Sequence, residues 1–143
     1  MNRCILATGC VVLALIVACG CVSGPVEQAP PESPVSPGSL SPGPTQSLPS
    51  EREIDVQIEK SGLDGMITVI FSGGKGQAAV TSIDVVVTRS DGTVIREKLP
   101  AEKLAELKIP GTREDDRIVV SVAYNDGTSY TIIDRMLAYR TRG

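Results

Sequence analysis

The sequence predicts an all-β domain, an antiparallel β-sandwich carried behind a hydrophobic signal helix and a disordered Pro-rich linker. Three observations carry that prediction. Short runs of β-branched residues alternate with polar ones through residues 51–143. Turn-forming Gly, Asp and Asn recur between those runs at intervals of about ten residues. Ahead of them, residues 24–50 hold eight of the chain's ten prolines.

The first strand signal is Ile54, Val56 and Ile58 alternating with Asp55, Gln57 and Glu59. After the turn-like Gly62-Leu63-Asp64-Gly65 comes the apolar run Met66-Ile67-Thr68-Val69-Ile70-Phe71. Ile83, Val85 and Val87 alternate with Asp84, Val86 and Thr88, and Ser90-Asp91-Gly92-Thr93 turns the chain into Val94 and on to Leu99. Asp-Gly between β-rich runs is a strong hairpin cue, because glycine adopts positive φ without steric cost. A second hairpin follows, with Ile118, Val120, Val122 and Tyr124 on one side of a strand and Asn125-Asp126-Gly127 as its turn. The returning strand, residues 129–137, places Tyr130, Ile132 and Asp134 on one side. Between the hairpins, residues 100–107 favour a short helical turn with Leu104 and Leu107 on one face, or else a single short strand.

Six or seven short strands imply a sandwich of immunoglobulin-like or fibronectin-like architecture. The Trp and cysteine pair of antibody domains are absent, so the likeness is one of architecture. The expected core is Ile54, Val56, Ile70, Ile83, Val85, Val87, Ile118, Val120, Val122 and Ile132.

Composition excludes several function classes. The net charge is −3, basic residues are scattered and aromatics make up only 3 % of the chain, a poor match to nucleic-acid binding. Histidine is absent, which removes Ser-His-Asp and Cys-His catalysis and most zinc sites. Gly73-Gly74-Lys75-Gly76 lacks the spacing of a phosphate loop, having Val69 where the first Gly belongs and Gly76 where Ser or Thr belongs. No cofactor motif is present, and the chain reads as a non-enzyme. Glu114, Asp115 and Asp116 form the densest carboxylate group and are weak candidates for a calcium site. Arg113 and Arg117 beside them predict a solvated, charge-compensated loop instead. Tyr124, Tyr130 and Tyr139 are candidates for a ligand patch, and otherwise cap the core.

Localisation is read from the start of the chain. An apolar run of about 14 residues, 5–18, follows Arg3, too short for the ~20 residues a spanning helix needs. Ile16-Val17-Ala18-Cys19 at its end resembles the lipobox of secreted lipoproteins. That resemblance implies cleavage before Cys19 and thioether lipidation of its sulfur, with Cys21 as the alternative. An uncleaved N-terminal membrane anchor is the other reading of the same segment. The remaining cysteines, Cys4 and Cys10, lie within the signal, so the payload has no disulfide framework. The expected organisation is a lipoprotein signal peptide (1–18), a lipidated cysteine with a disordered linker (19–50) and a β-sandwich (51–143). As extended polyproline II at ~3.1 Å per residue, the Pro-rich tract would span on the order of 80 Å.

The payload resembles small surface lipoproteins of methanogen-type archaea. The residues that carry the likeness are Gly73-Gly74-Lys75-Gly76-Gln77, Val87-Thr88-Arg89-Ser90-Asp91-Gly92, Gly111-Thr112-Arg113 with Asp116-Arg117, Tyr124-Asn125-Asp126-Gly127, and Tyr139-Arg140. The likeness implies a membrane-tethered, outward-facing β domain whose partners are the membrane and other envelope proteins. Display for structural or protein–protein contact is the first expectation, and a carbohydrate- or peptide-binding accessory module the second.

Overall fold

Alternation of β-branched and polar residues becomes seven antiparallel strands in the computed structural model, which describes residues 38–140. They are β1 (Asp55–Lys60), β2 (Ile67–Gly73), β3 (Val80–Thr88), β4 (Val94–Leu99), β5 (Glu106–Ile109), β6 (Asp116–Tyr124) and β7 (Ser129–Leu137). Two sheets result, ordered β1-β2-β5 and β4-β3-β6-β7. Among the described residues no helix is long and apolar enough to cross a membrane. The expected signal peptide, Cys19 and Cys21 lie outside the described residues.

The inner face of each sheet is one phase of the alternation. Val56 pairs with Phe71, Ile58 with Val69, and Ile67 with Ile109 in the first sheet. In the second, Ile83 pairs with Val122, Val85 with Val120 and Val87 with Ile118. The buried members of these rows form one cluster with Leu99, Tyr124 and Leu137, and the half-buried Val56 and Ile58 pack against it. Stiff β-branched side chains suit such a surface, having little rotamer freedom to lose.

Six expected core residues are fully buried: Ile83, Val85, Val87, Ile118, Val120 and Val122. Ile54, Val56 and Ile132 pack at the edge of the cluster. Ile70 does not join it. It sits between Gln57 and Glu106 on the outer face, and Ile67, Val69 and Phe71 point inward instead.

Residues 100–107 do not form a helix: residues 101–104 bend and turn, and only Glu106 and Leu107 join a strand, β5. Phe71 donates its N–H to the Ala105 carbonyl and accepts from the Leu104 N–H, which draws this segment onto β2. Leu104 therefore adopts φ 67° and is 70 % exposed. Positive φ is a rare conformation for a bulky residue. In β7 a bulge opposite Val120 and Ser121 changes the phase, so Tyr130 lies opposite inward Val122 whereas Asp134 lies opposite outward Val119. The shared side expected for Tyr130 and Asp134 is lost for that reason.

Register yields a sharp contrast within β2. Phe71→Ala is expected to cost about 3–5 kcal/mol, whereas Ile70→Ala is expected to cost about 1 kcal/mol or less. Urea unfolding of the two variants measures both, and equal costs would contradict the observed phase.

Candidate functional site

The β5–β6 loop delivers Asp116 to the first inward position of β6, and β1 ends with Lys60 at an inward position across the core. The two meet with Nζ to Oδ2 at 2.8 Å, their side chains 4 % and 0 % exposed. Every lone-pair direction of the carboxylate is used. Oδ1 accepts the Ser90 N–H (3.0 Å) and the Thr112 hydroxyl (2.6 Å), and Oδ2 also accepts the Thr112 N–H (2.7 Å). Lys60 spends its other donors on the carbonyls of Glu114 and Leu137. Burial pushes the Asp116 pKa up, but hydrogen bonds from Lys60, Thr112 and Ser90 outweigh it and hold the group below its ordinary value.

This arrangement takes the acidic triple apart. Asp116 is sealed inside, whereas Glu114 and Asp115 are exposed, with Asp115 accepting the Tyr139 N–H at 3.3 Å. No group of three His, Cys, Asp or Glu side chains that could hold a metal ion occurs among the described residues. Arg117 does not compensate the triple. It points to the outer face of the sheet and grips Asp134, Nε to Oδ1 at 2.7 Å and Nη2 to Oδ2 at 2.6 Å.

The tyrosines are also divided. Tyr124 and Tyr130 meet edge to face, their ring centroids 5.9 Å apart. Arg52 lies 5.4 Å from the Tyr124 ring centre and accepts the Tyr124 hydroxyl on its carbonyl at 2.6 Å. The Arg52 guanidinium pairs with Asp126 (2.6 Å) and donates to the Thr128 hydroxyl (2.8 Å). The Thr128 hydroxyl, the Thr128 N–H and Arg52 together hold Asp126 at about 2. Tyr139 lies at the Asp116 end, donating its hydroxyl to the Gly62 carbonyl at 2.9 Å. Strand β6 separates the two ends by roughly 26 Å at ~3.3 Å per residue. Each hydroxyl of Tyr124 and Tyr139 thus stitches loops together.

The Gly-rich β2–β3 loop has a packing explanation. Gly74, at φ +146°, leaves no room for a Cβ against the Glu53 carbonyl, and a Cβ on Gly76 would meet the Arg52 backbone at 2.5 Å. The glycines let the loop lie directly on residues 52–54. Glu53, Ile54, Asp55, Gly74 and Lys75 line a shallow depression beside it.

Sequence reasoning missed one constellation. Residues 38–48 run antiparallel to β7 along its free side. The Ser39 carbonyl accepts from Arg117 Nη1 (2.7 Å), and the Gly43 N–H donates to Asp134 Oδ2 (2.7 Å). The Gln46 N–H donates to the Thr131 carbonyl (2.8 Å), and the Thr131 N–H returns to Gln46 Oε1 (3.0 Å). Leu48 packs against the core.

The buried carboxylates are each committed to a cation, and the aromatic side chains are engaged with one another or with backbone. What remains open is surface at both ends: the loops at the Tyr124 end, with Lys75, Lys103 and the exposed Leu104, and the β1–β2 loop at the Asp116 end, with the exposed Leu63. No protein family, curated protein or solved structure matches the chain.

Two predictions follow from the Asp116 cluster. Asp116→Ala strands a buried ammonium and is expected to cost about 3–5 kcal/mol, whereas the double change Lys60→Met with Asp116→Leu is expected to cost less than that single change. A double-mutant cycle in urea reads the coupling. Asp116, Asp126 and Asp134 all ionise below the ordinary 3.8 in the folded chain. The unfolded chain therefore binds their protons first as pH drops. Their contribution to stability is complete above the ordinary carboxylate range and is lost as pH falls below 3.8, for Asp126 toward about 2. Urea midpoints measured at descending pH are expected to fall over that window and to be level above it.

Proposed function

We propose that this chain is an outward-facing, membrane-anchored lipoprotein that displays a small β-sandwich for contact with other components of the cell envelope, without catalysis. The observation that carries the reading is the order of segments: a short apolar run, Ile16-Val17-Ala18-Cys19, a Pro-rich tract, and then a cysteine-free β domain. Two acyl chains on one cysteine anchor a protein stably, at ~0.8 kcal/mol per buried methylene, where one chain does so only marginally. A lipidated Cys19 therefore replaces a spanning helix. The resemblance to surface lipoproteins of methanogen-type archaea agrees with this placement.

We assign the payload to the immunoglobulin-like or fibronectin-like architecture. Strand order supports that assignment. With β1, β2, β3, β5, β6 and β7 taken as strands A, B, C, E, F and G, the fourth strand joins the CFG sheet as C′. Display by loops is the usual use of such a scaffold. The loops at the Tyr124 end carry the exposed Lys75, Lys103 and Leu104, which favours contact with a partner. The tyrosines there are already engaged, which weighs against a sugar-binding role.

Intact mass and N-terminal analysis of the native protein tests the anchor. The expected product begins at Cys19, carries a lipid adduct and partitions with membranes, and Cys19→Ser releases it to the soluble fraction. A mature chain beginning at Cys21 moves the lipid to the alternative position, a membrane-bound chain retaining Met1 without lipid replaces lipidation with the uncleaved anchor, and a soluble chain retaining Met1 removes the reading altogether.

A further inference from the structure

We propose that residues 38–48 are a releasable strap, latched by the Arg117–Asp134 pair, that opens without unfolding the sandwich. The strap contributes one side chain to the core, Leu48, while Leu40 stays 38 % exposed. Its other anchors are polar: the Ser39 carbonyl on Arg117, the Gly43 N–H on Asp134, and the exchange between Gln46 and Thr131.

The seat does not need the strap for its own charge balance. Arg117 and Asp134 hold each other through two parallel bonds, their side chains 4 % and 2 % exposed. When the strap leaves, the pair stays paired and gains water. No unpartnered buried charge is created, so opening loses only the strap's own bonds and the burial of Leu48. Proline-rich chain also has extended, hydrated conformations ready to receive it.

The point at which opening stops is built in. Arg52 donates its N–H to the Pro49 carbonyl, fixes its guanidinium on Asp126 and Thr128, and receives the Tyr124 hydroxyl on its carbonyl. Residues 49–52 are thus held separately from the strap. Opening carries the chain's point of departure from the Arg117–Met136 end of the four-stranded sheet to Arg52. It frees the 11 residues of the strap, roughly 34 Å at ~3.1 Å per residue. It also bares the edge of β7, where a backbone strand can pair. The latch stands independently of how the N-terminus is anchored. On the anchored reading, it sets the length of the tether.

Amide hydrogen exchange on the full-length chain in detergent micelles, resolved by residue, tests the latch. The informative variant is Gly43→Pro, which removes the N–H given to Asp134, places its Cβ 3.1 Å from Asp134 Oδ2 and 3.7 Å from Arg117 Nη2, and replaces no strand residue. In the unaltered chain the Gln46 and Thr131 amides are expected to exchange together, slower than free peptide and faster than Val120 and Val122. In Gly43→Pro they are expected to speed up by about tenfold or more, the effect of losing a hydrogen bond to a charged group, with Val120 and Val122 changed by less than about twofold. The latch is overturned if Gln46 and Thr131 exchange at the rate of the core. It is equally overturned if the variant accelerates all four amides alike or fails to fold, or if the strap amides are unprotected in the unaltered chain.

Discussion

The Lys60–Asp116 contact is the constraint around which one end of the molecule is shaped. Desolvating two charges costs several kcal/mol per ion, and attraction between them offsets this only when the remaining donors and acceptors are also satisfied. Here they are. The Ser90 N–H comes from the β3–β4 turn, both Thr112 donors from the β5–β6 loop, and the Leu137 carbonyl from the end of β7. Three separate segments converge on one ion pair that also joins the two sheets. Take away the carboxylate and the Ser90 and Thr112 N–H groups lose their acceptor, while the buried Lys60 ammonium keeps two carbonyls but no counter-charge. The loops therefore have one arrangement that satisfies them, and Asp116 is taken out of the acidic triple.

Arg117–Asp134 solves the same problem at a different boundary. It lies on the outer face, where water is close, and its partners beyond each other are backbone groups of the chain ahead of β1. The first pair is sealed by the core and the second by a removable cover. That difference in enclosure gives one pair a role in the fold and the other a role at its edge. Proline adds a second property to the cover. Pro42 and Pro44 have no N–H to offer, so the segment lies along β7 without presenting a new edge to another strand.

The hairpins were legible in the sequence because their information is local. Asp91 accepts the Thr93 N–H and Asp126 the Thr128 N–H, while Gly92 and Gly127 both sit at φ +83°. Each turn is specified by residues adjacent in the chain. The phase of β2 was not legible, because Met66-Ile67-Thr68-Val69-Ile70-Phe71 is apolar on both faces and only pairing with Val56 and Ile58 chooses between them. Residues 100–107 failed for a related reason. Ala, Glu, Lys and Leu favour helix locally, and two backbone bonds to Phe71 override them. The ion pair had a signal that went unused: Lys60 continues the inward phase of Val56 and Ile58, and Asp116 opens that of Ile118 and Val120. A charge in a core phase calls for an opposite charge across the core. The strap had no such signal. A bulge hides the facing of Asp134, and composition registers that a proline tract cannot build a core, not that it can lie on one.

A payload without cysteine must hold its sheets together by other means. Lys60–Asp116 does so at one end of the sandwich, and the Tyr124 hydroxyl on the Arg52 carbonyl does so at the other. Between them lies a core of valine and isoleucine with Phe71 as its sole phenylalanine. A disulfide in these places would act mainly on the unfolded chain, by shortening its loops. An ion pair acts on the folded state and is indifferent to redox potential, but it yields to protons. The stability of this domain is therefore tied to the acidity of its surroundings, and the aspartates at both ends and beneath the strap all give way below the ordinary carboxylate range. Acid that loosens the Asp116 cluster also neutralises the acceptor of the Gly43 N–H, so the cover and the end of the sandwich weaken together, their anchors Asp116 and Arg117 being neighbours on opposite faces of β6.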